Sequence, residues 1–356
     1  MYCLDNISYN KMPNDIIVRY LTLYQHIGRN QTTFEAIKDD YQTISLQTLR
    51  TDAYYLGQFL DLSIKEERYQ GLIIKHIKAK NHDEQFLKNA LKTFEKIHEN
   101  IDAFELFDRE IHDLLKFLYK NAASDTMLNF AKKTKKETQR INLLSANHAT
   151  KRDALDALIT RYHQTLKKGD FEKGFIDLNF YIDFIQLAPF KAYNDVIGIF
   201  ILYILMIQNG YLAFHLSSFF EKLFKRKNEF LKLKKEALRN WSDGLADTHD
   251  LHRFFLDIAI EAYQDVHELL RNYTFDKQLN KSDYIESTIN RLPEVFSKED
   301  IKHAHPTISL STINRTLARL RDEKKIRPLG KGRSAKWMKL YTTPKSKLNE
   351  QLNFKL

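Results

Sequence analysis

Residues 197–207 read Ile-Gly-Ile-Phe-Ile-Leu-Tyr-Ile-Leu-Met-Ile, a run with no charged side chain. It is too short to cross a bilayer, which takes about 20 residues. A helix that is apolar on every side is stable only where protein surrounds it, so the run is expected to be a buried core helix. Gly (10) and Pro (6) are scarce in the 356 residues. That argues for long helices and against a sandwich or barrel rich in tight turns. A mainly α fold is therefore expected, with length enough for two or three domains.

Other segments carry the helical period. Asp15 is expected to cap a helix over 16–24, and Ser45 to precede one over 46–62, with Leu49, Ala53, Leu56 and Phe59 on one face. Residues 86–101 and 106–119 repeat the pattern. Residues 121–150 are rich in Asn, Ser, Thr and Lys and suggest a loop or short hairpin. Helices are expected over 153–166 (capped by Thr150), 171–187, 214–239 and 248–270, with a polar linker over 273–281.

Charge is distributed unevenly. Residues 297–347 hold 14 Lys/Arg and 4 Asp/Glu, which accounts for the whole net charge of +10. A single basic segment of this kind points to nucleic acid. Its sequence is also ordered. A helix over 284–292 stops at Pro293, and Ser297 starts a second with Asp300 at the capping-box position. Ser311 or Ser309 caps a third over 312–324. Ile313, Leu317 and Leu320 share one face of that helix, and Asn314, Arg315, Ala318, Arg319 and Arg321 lie largely on the other. A Gly-Lys-Gly turn at 330–332 then joins two basic strands. Three helices and a hairpin resemble a winged helix-turn-helix. That resemblance implies DNA contacts by Ser311, Thr312, Asn314, Arg315 and Arg319 from the third helix, and by Lys331, Arg333 and Lys336 from the wing. Trp337 is expected in the core beneath the wing.

Just before the apolar run stands Leu187-Ala-Pro-Phe-Lys-Ala-Tyr-Asn-Asp-Val-Ile-Gly198, and after it Asn209-Gly-Tyr211 and His215-Leu-Ser217. Upstream lies Glu110-Ile-His112. This order resembles the centre of a Fic (Fido) domain, in which a loop His-Pro-Phe-x-Asp/Glu-Gly-Asn-Gly-Arg-x-x-Arg leads into a buried helix. Pro189, Phe190 and Asn194 match that loop. Ala188 stands for its histidine, Ala192 for its acidic residue, Tyr193 and Asp195 for its glycines, and Val196 and Ile199 for its arginines. The resemblance implies a helical core over 96–275 that follows an N-terminal helical region over 1–95, with the winged helix over 282–345. Ser63 and Glu67 are similar to the family's inhibitory motif, although Arg68 stands where Gly or Asn belongs.

Active members of the family move a nucleotide moiety, usually AMP, onto a hydroxyl side chain. The loop histidine serves as base, the acidic residue holds Mg²⁺, and the glycines cradle phosphates. Ala188 accepts no proton, Ala192 holds no metal, and Asp195 repels a triphosphate. No catalytic residue, metal or cofactor is therefore expected. His215 is expected to cap or pack, and His148 to be incidental.

The expected function is that of a DNA-binding regulator with an inactive Fic-type body. Homodimerisation is expected because one winged helix offers a small interface. Two alternatives stay open: an atypical AMP or related transferase using residues outside the loop, and a protein-interaction component of a toxin–antitoxin or phage-defence system. Cys3 is the only cysteine, so no intramolecular disulfide forms and a cytoplasmic location is expected. The first residues lack the pattern of a signal peptide, and no membrane association is expected.

Overall fold

The computed structural model describes residues 3–8, 11–133, 149–278, 281–305, 308–330 and 335–340. The described residues are mainly helical, with one small sheet. They divide into two compact units, Met1–His267 and Glu268–Leu356.

The first unit opens with α1 (Asn14–Ile27), α2 (Asn30–Ala36), α3 (Tyr41–Phe59), α4 (Glu66–Ile73) and α5 (His82–Glu99). Next come α6 (Asp108–Leu118), α7 (Asp125–Leu128), α8 (Lys151–Lys168), α9 (Lys173–Leu187) and α10 (Asn194–Gln208). After the 3₁₀ turn Leu212–His215 follow α11 (Phe219–Lys225), α12 (Lys227–Ala237) and α13 (His249–Gln278), of which His249–His267 belong to this unit.

Residues 197–207 are buried throughout, as the apolar run demands. α10 packs against α9, which is flanked by α8, while α3 packs against α11 and α5. Gly198 allows the close approach of α9 to α10: a Cβ there would lie 2.6 Å from Ile185 Cδ1. Three buried carboxylates tie distant segments together. Asp52 on α3 accepts from Ser218 Oγ at 2.6 Å and the Phe220 N–H at 2.9 Å, which fixes the start of α11. Asp177 on α9 accepts from Tyr162 Oη at 2.7 Å and from Asn209 Nδ2. Asp183 accepts from the Cys3 N–H at 2.7 Å, the Leu4 N–H at 3.1 Å and Trp241 Nε1 at 2.8 Å. Burial raises all three pKa values, to about 7, 8 and 6 respectively.

Several helix ends differ from expectation. α1 begins after Pro13, and Asp15 lies within its first turn, paired with Arg19 and Arg253 rather than capping. Ser45 sits inside α3, where its hydroxyl meets His98. The helix expected over 214–239 is broken, because Ser218 caps a new start and the backbone leaves helical geometry at Arg226. Arg226 is drawn between Glu229 and Glu261 and over the Phe254 ring. The segment expected as a linker from residue 273 is helical through Gln278, in a stretch with neither Gly nor Pro. The cap at Thr150 is as expected, with Asp153 closing a capping box.

In the second unit α14 (Lys281–Arg291), α15 (Lys298–Ala304) and α16 (Leu310–Asp322) accompany β1 (Val295–Phe296), β2 (Ile326–Pro328) and β3 (Trp337–Lys339). The sheet is antiparallel in the order β1-β3-β2, with Phe296 opposite Trp337 and Ile326 opposite Lys339. β1 adds a strand to the hairpin that the sequence suggested. The core holds Ile285, Ile289, Phe296, Ile301, Ile313, Leu317, Leu320 and Trp337. Ser297 and Asp300 form the expected capping box, and Ser309 rather than Ser311 caps α16.

Candidate functional site

α9 ends at Ala188, whose φ of 43° places it in the left-handed region. That conformation costs a residue with a Cβ roughly 1–2 kcal/mol, so packing must hold it there. The holding contacts are visible. Lys151, itself buried, donates from Nζ to the Leu187 carbonyl at 2.5 Å. The Ala131 N–H donates to the Pro189 carbonyl at 2.8 Å, and the Lys191 N–H to the Asn129 carbonyl at 3.0 Å. These bonds make an antiparallel bridge between Phe130 and Phe190.

Asn194 closes the loop from within. Its Oδ1 accepts the Phe190 N–H at 3.0 Å and its Nδ2 donates to the Phe190 carbonyl at 2.8 Å. Pro189 and Phe190 are buried. His112 stacks on Phe190 with ring centroids 5.5 Å apart, and its Nε2–H donates to the Leu128 carbonyl at 3.0 Å. Burial lowers the His112 pKa.

At the start of α10, Tyr193 is also left-handed, with φ 65°. Its ring lies on Tyr119 with centroids 3.8 Å apart and planes 18° from parallel. Burial, then the neighbouring Tyr193 and the charge of Asp83, push the Tyr119 hydroxyl well above its ordinary pKa. Asp195 pairs with Lys234 at 2.9 Å. The loop therefore keeps its course by hydrogen bonds, stacking and buried aromatics. The side chains of Ala188 and Ala192 carry no donor, acceptor or ligand atom, and among the described residues no group of three or more His, Cys, Asp or Glu is placed to hold a metal.

His215 is buried, with its ring 4.1 Å from that of His98 and its Nδ1 sharing a hydrogen bond with Tyr41 Oη at 2.8 Å. Burial lowers its pKa to about 4, so it is a neutral packing residue. Ser63 and Glu67 are exposed. The Ser63 N–H donates to Asp83 at 2.8 Å, and neither residue hydrogen-bonds to 188–198. Arg68 is committed to Glu84. His148 lies outside the described residues. Tyr119 and Lys151, which hold the loop, carry no motif that would have marked them in the sequence.

The second candidate site is the exposed face of α16. Ser311, Asn314 and Arg315 are exposed there, and Thr312 is half-buried. The Ser311 and Thr312 hydroxyls share hydrogen bonds with Ser309 at 2.8 and 2.9 Å, in the cap. Arg319 was expected beside Arg315. It instead turns to Glu286 at 2.6 Å and Glu323 at 2.9 Å, and Lys325 joins the same carboxylates. Glu286 is partly buried, which raises its pKa, but Lys325 and Arg319 outweigh that and hold it below the usual range. Lys336 is exposed, while Lys331 and Arg333 lie outside the described residues. Trp337 is buried, as expected.

The folded chain is similar to a Fic family protein from Desulfovibrio desulfuricans G20, with a TM-score of 0.52, 12% identity and coverage of 93% of this chain and 97% of that one. It is similar to a Fic domain containing signaling protein from Bacteroides thetaiotaomicron VPI-5482, again with a TM-score of 0.52 and 12% identity, over 69% of this chain and 98% of that one. At such identity the likeness shows the fold alone: a Fic-like helical fold. The family model described as DNA alkylation repair enzyme matches residues 26–172, less than half of the chain. No curated protein matches.

Proposed function

We propose that this protein is a DNA-binding regulator, with a winged helix-turn-helix over 282–345 and a Fic-fold body over 96–275 whose loop has lost transfer chemistry. The observation that carries the reading is the concentration of the whole net charge in residues 297–347, which include the exposed Asn314 and Arg315 of α16. In such modules the third helix enters the major groove, where an arginine reads guanine and an asparagine reads adenine. Among the described residues Arg315 has no ion pair, which suits that role, whereas Arg319 is held by Glu286 and supports the module. A homodimer doubles the small interface of one module.

The test is selection of genomic DNA fragments by full-length protein at physiological salt, beside Asn314→Ala/Arg315→Ala. Enrichment of a shared sequence that the variant loses is the expected result. Enrichment that the variant keeps, or none at all, overturns the reading.

The family match over 26–172 favours a second reading, in which the body itself engages DNA as a repair enzyme. In that case, Asn314→Ala/Arg315→Ala leaves binding to alkylated duplexes intact, and alkylated bases are released from them.

A further inference from the structure

We propose that a cleft at the C-terminal end of α10 binds a small aromatic anion. The cleft has a volume of about 620 Å³, within the range of small-molecule sites. It lies one helix length from the loop at the start of α10, about 22 Å at 1.5 Å per residue, and shares no residue with it. Phe104, Phe107, Tyr162, Leu166 and Leu205 give it an apolar, ring-rich lining.

The neutral polar groups around the cleft are already committed. Tyr162 Oη and Asn209 Nδ2 both donate to Asp177. Gln208 Nε2 donates to the carbonyls of Ile101 at 3.1 Å and Phe104 at 2.7 Å. His163 Nε2–H donates to the Leu106 carbonyl at 3.1 Å. These bonds fix the walls and leave few neutral groups for a ligand. What remains are the ammonium groups of Lys167 and Lys173, neither of which has an ion pair among the described residues, and the single carboxylate of Glu105. Asp177, behind the wall, is wholly buried and already takes the Tyr162 and Asn209 donors, and burial raises its pKa. Flat rings between aromatic and aliphatic walls, with excess positive charge at the edge, suit a planar aromatic group bearing a carboxylate, sulfonate or phosphate.

The test uses full-length protein and two fluorescent probes of similar ring structure, 8-anilinonaphthalene-1-sulfonate and uncharged N-phenyl-1-naphthylamine. Saturable binding of one sulfonate per chain is expected. Lys167→Gln/Lys173→Gln, at two exposed positions, is expected to weaken the sulfonate about ten-fold while leaving the uncharged probe within about two-fold. Leu205→Trp, which fills the cleft, is expected to exclude both, with its melting temperature checked against the parent. The proposal is overturned if the parent binds no sulfonate saturably. It is equally overturned if the lysine variant, folded as the parent, loses less than about three-fold. The result does not depend on whether the C-terminal module binds DNA.

Discussion

Asp52, Asp177 and Asp183 in the first unit are wholly buried, and each is met by two or three hydrogen-bond donors. Asn314, Arg315 and Lys336 in the second unit are exposed, with no side-chain partner among the described residues. The buried carboxylates of the first unit serve its own architecture. Even its loop, where the Fic resemblance places catalysis, is closed by Asn194 on Phe190 and Tyr193 on Tyr119. In the second unit Glu286 holds Arg319 and Lys325, while Asn314 and Arg315 on the same helix as Arg319 are exposed. A solvated cation that is not needed for folding is informative about binding; a buried group held by hydrogen bonds is informative about stability.

Substitutions can break that contrast, and the largest expected effect is on DNA. Two base-edge contacts at about 1–3 kcal/mol each imply that Asn314→Ala/Arg315→Ala weakens specific binding about 100-fold, measured by fluorescence anisotropy, with melting unchanged. Retained affinity would remove the reason for treating α16 as an interface. Next is the loop. Asn194→Ala leaves the Phe190 amide unsatisfied and should cost about 2 kcal/mol by denaturant unfolding, without altering DNA affinity. A neutral result would show that the loop is not held from within.

pH sharpens the comparison further. The folded pKa values of Asp52, Asp177 and Asp183 lie above the unfolded carboxylate value, so between the two values the native state binds more protons. Stability from these groups is present at low pH and falls as pH rises towards about 8. His98, His215 and His252 have lowered values and act in the opposite sense, losing stability as pH falls below the unfolded histidine value near 6.5. Between about pH 6.5 and 8 Asp52 and Asp177 dominate, since Asp183 has lost its proton by then. Trp241 reports the first unit in a Trp337→Phe background, and its melting temperature should drop across that window. Asp177→Asn should flatten the drop. The smallest effect is that of Arg319→Ala, about 1 kcal/mol of stability in the second unit with DNA affinity within about three-fold.

Much of this was legible in the sequence, and the exceptions share a cause. The buried helix at 197–207, the caps at Thr150 and Ser297 and the buried Trp337 follow from local pattern, and the structure has them. Asp15 and Ser45 look like caps by the same logic. Their partners, Arg253 for Asp15 and His98 for Ser45, are distant in sequence, and no local rule sees them. Arg319 lies on the predicted polar face of its helix but meets Glu286, 33 residues away. Lys151 and Tyr119 hold the loop at 188–194 through contacts that only folding creates. The missing histidine, acidic residue, glycines and arginines were plain from residues 188–199, whereas the contacts that close the loop in their place were not.

We propose that DNA contact belongs to the second unit and that Arg315 is part of it. The most direct test is the salt dependence of binding to the enriched sequence, for the parent and Arg315→Ala, between about 50 and 200 mM salt. A steep loss of affinity with salt is expected in the parent, with a lower affinity and reduced sequence preference in the variant throughout. Superimposable curves for the two proteins would contradict it.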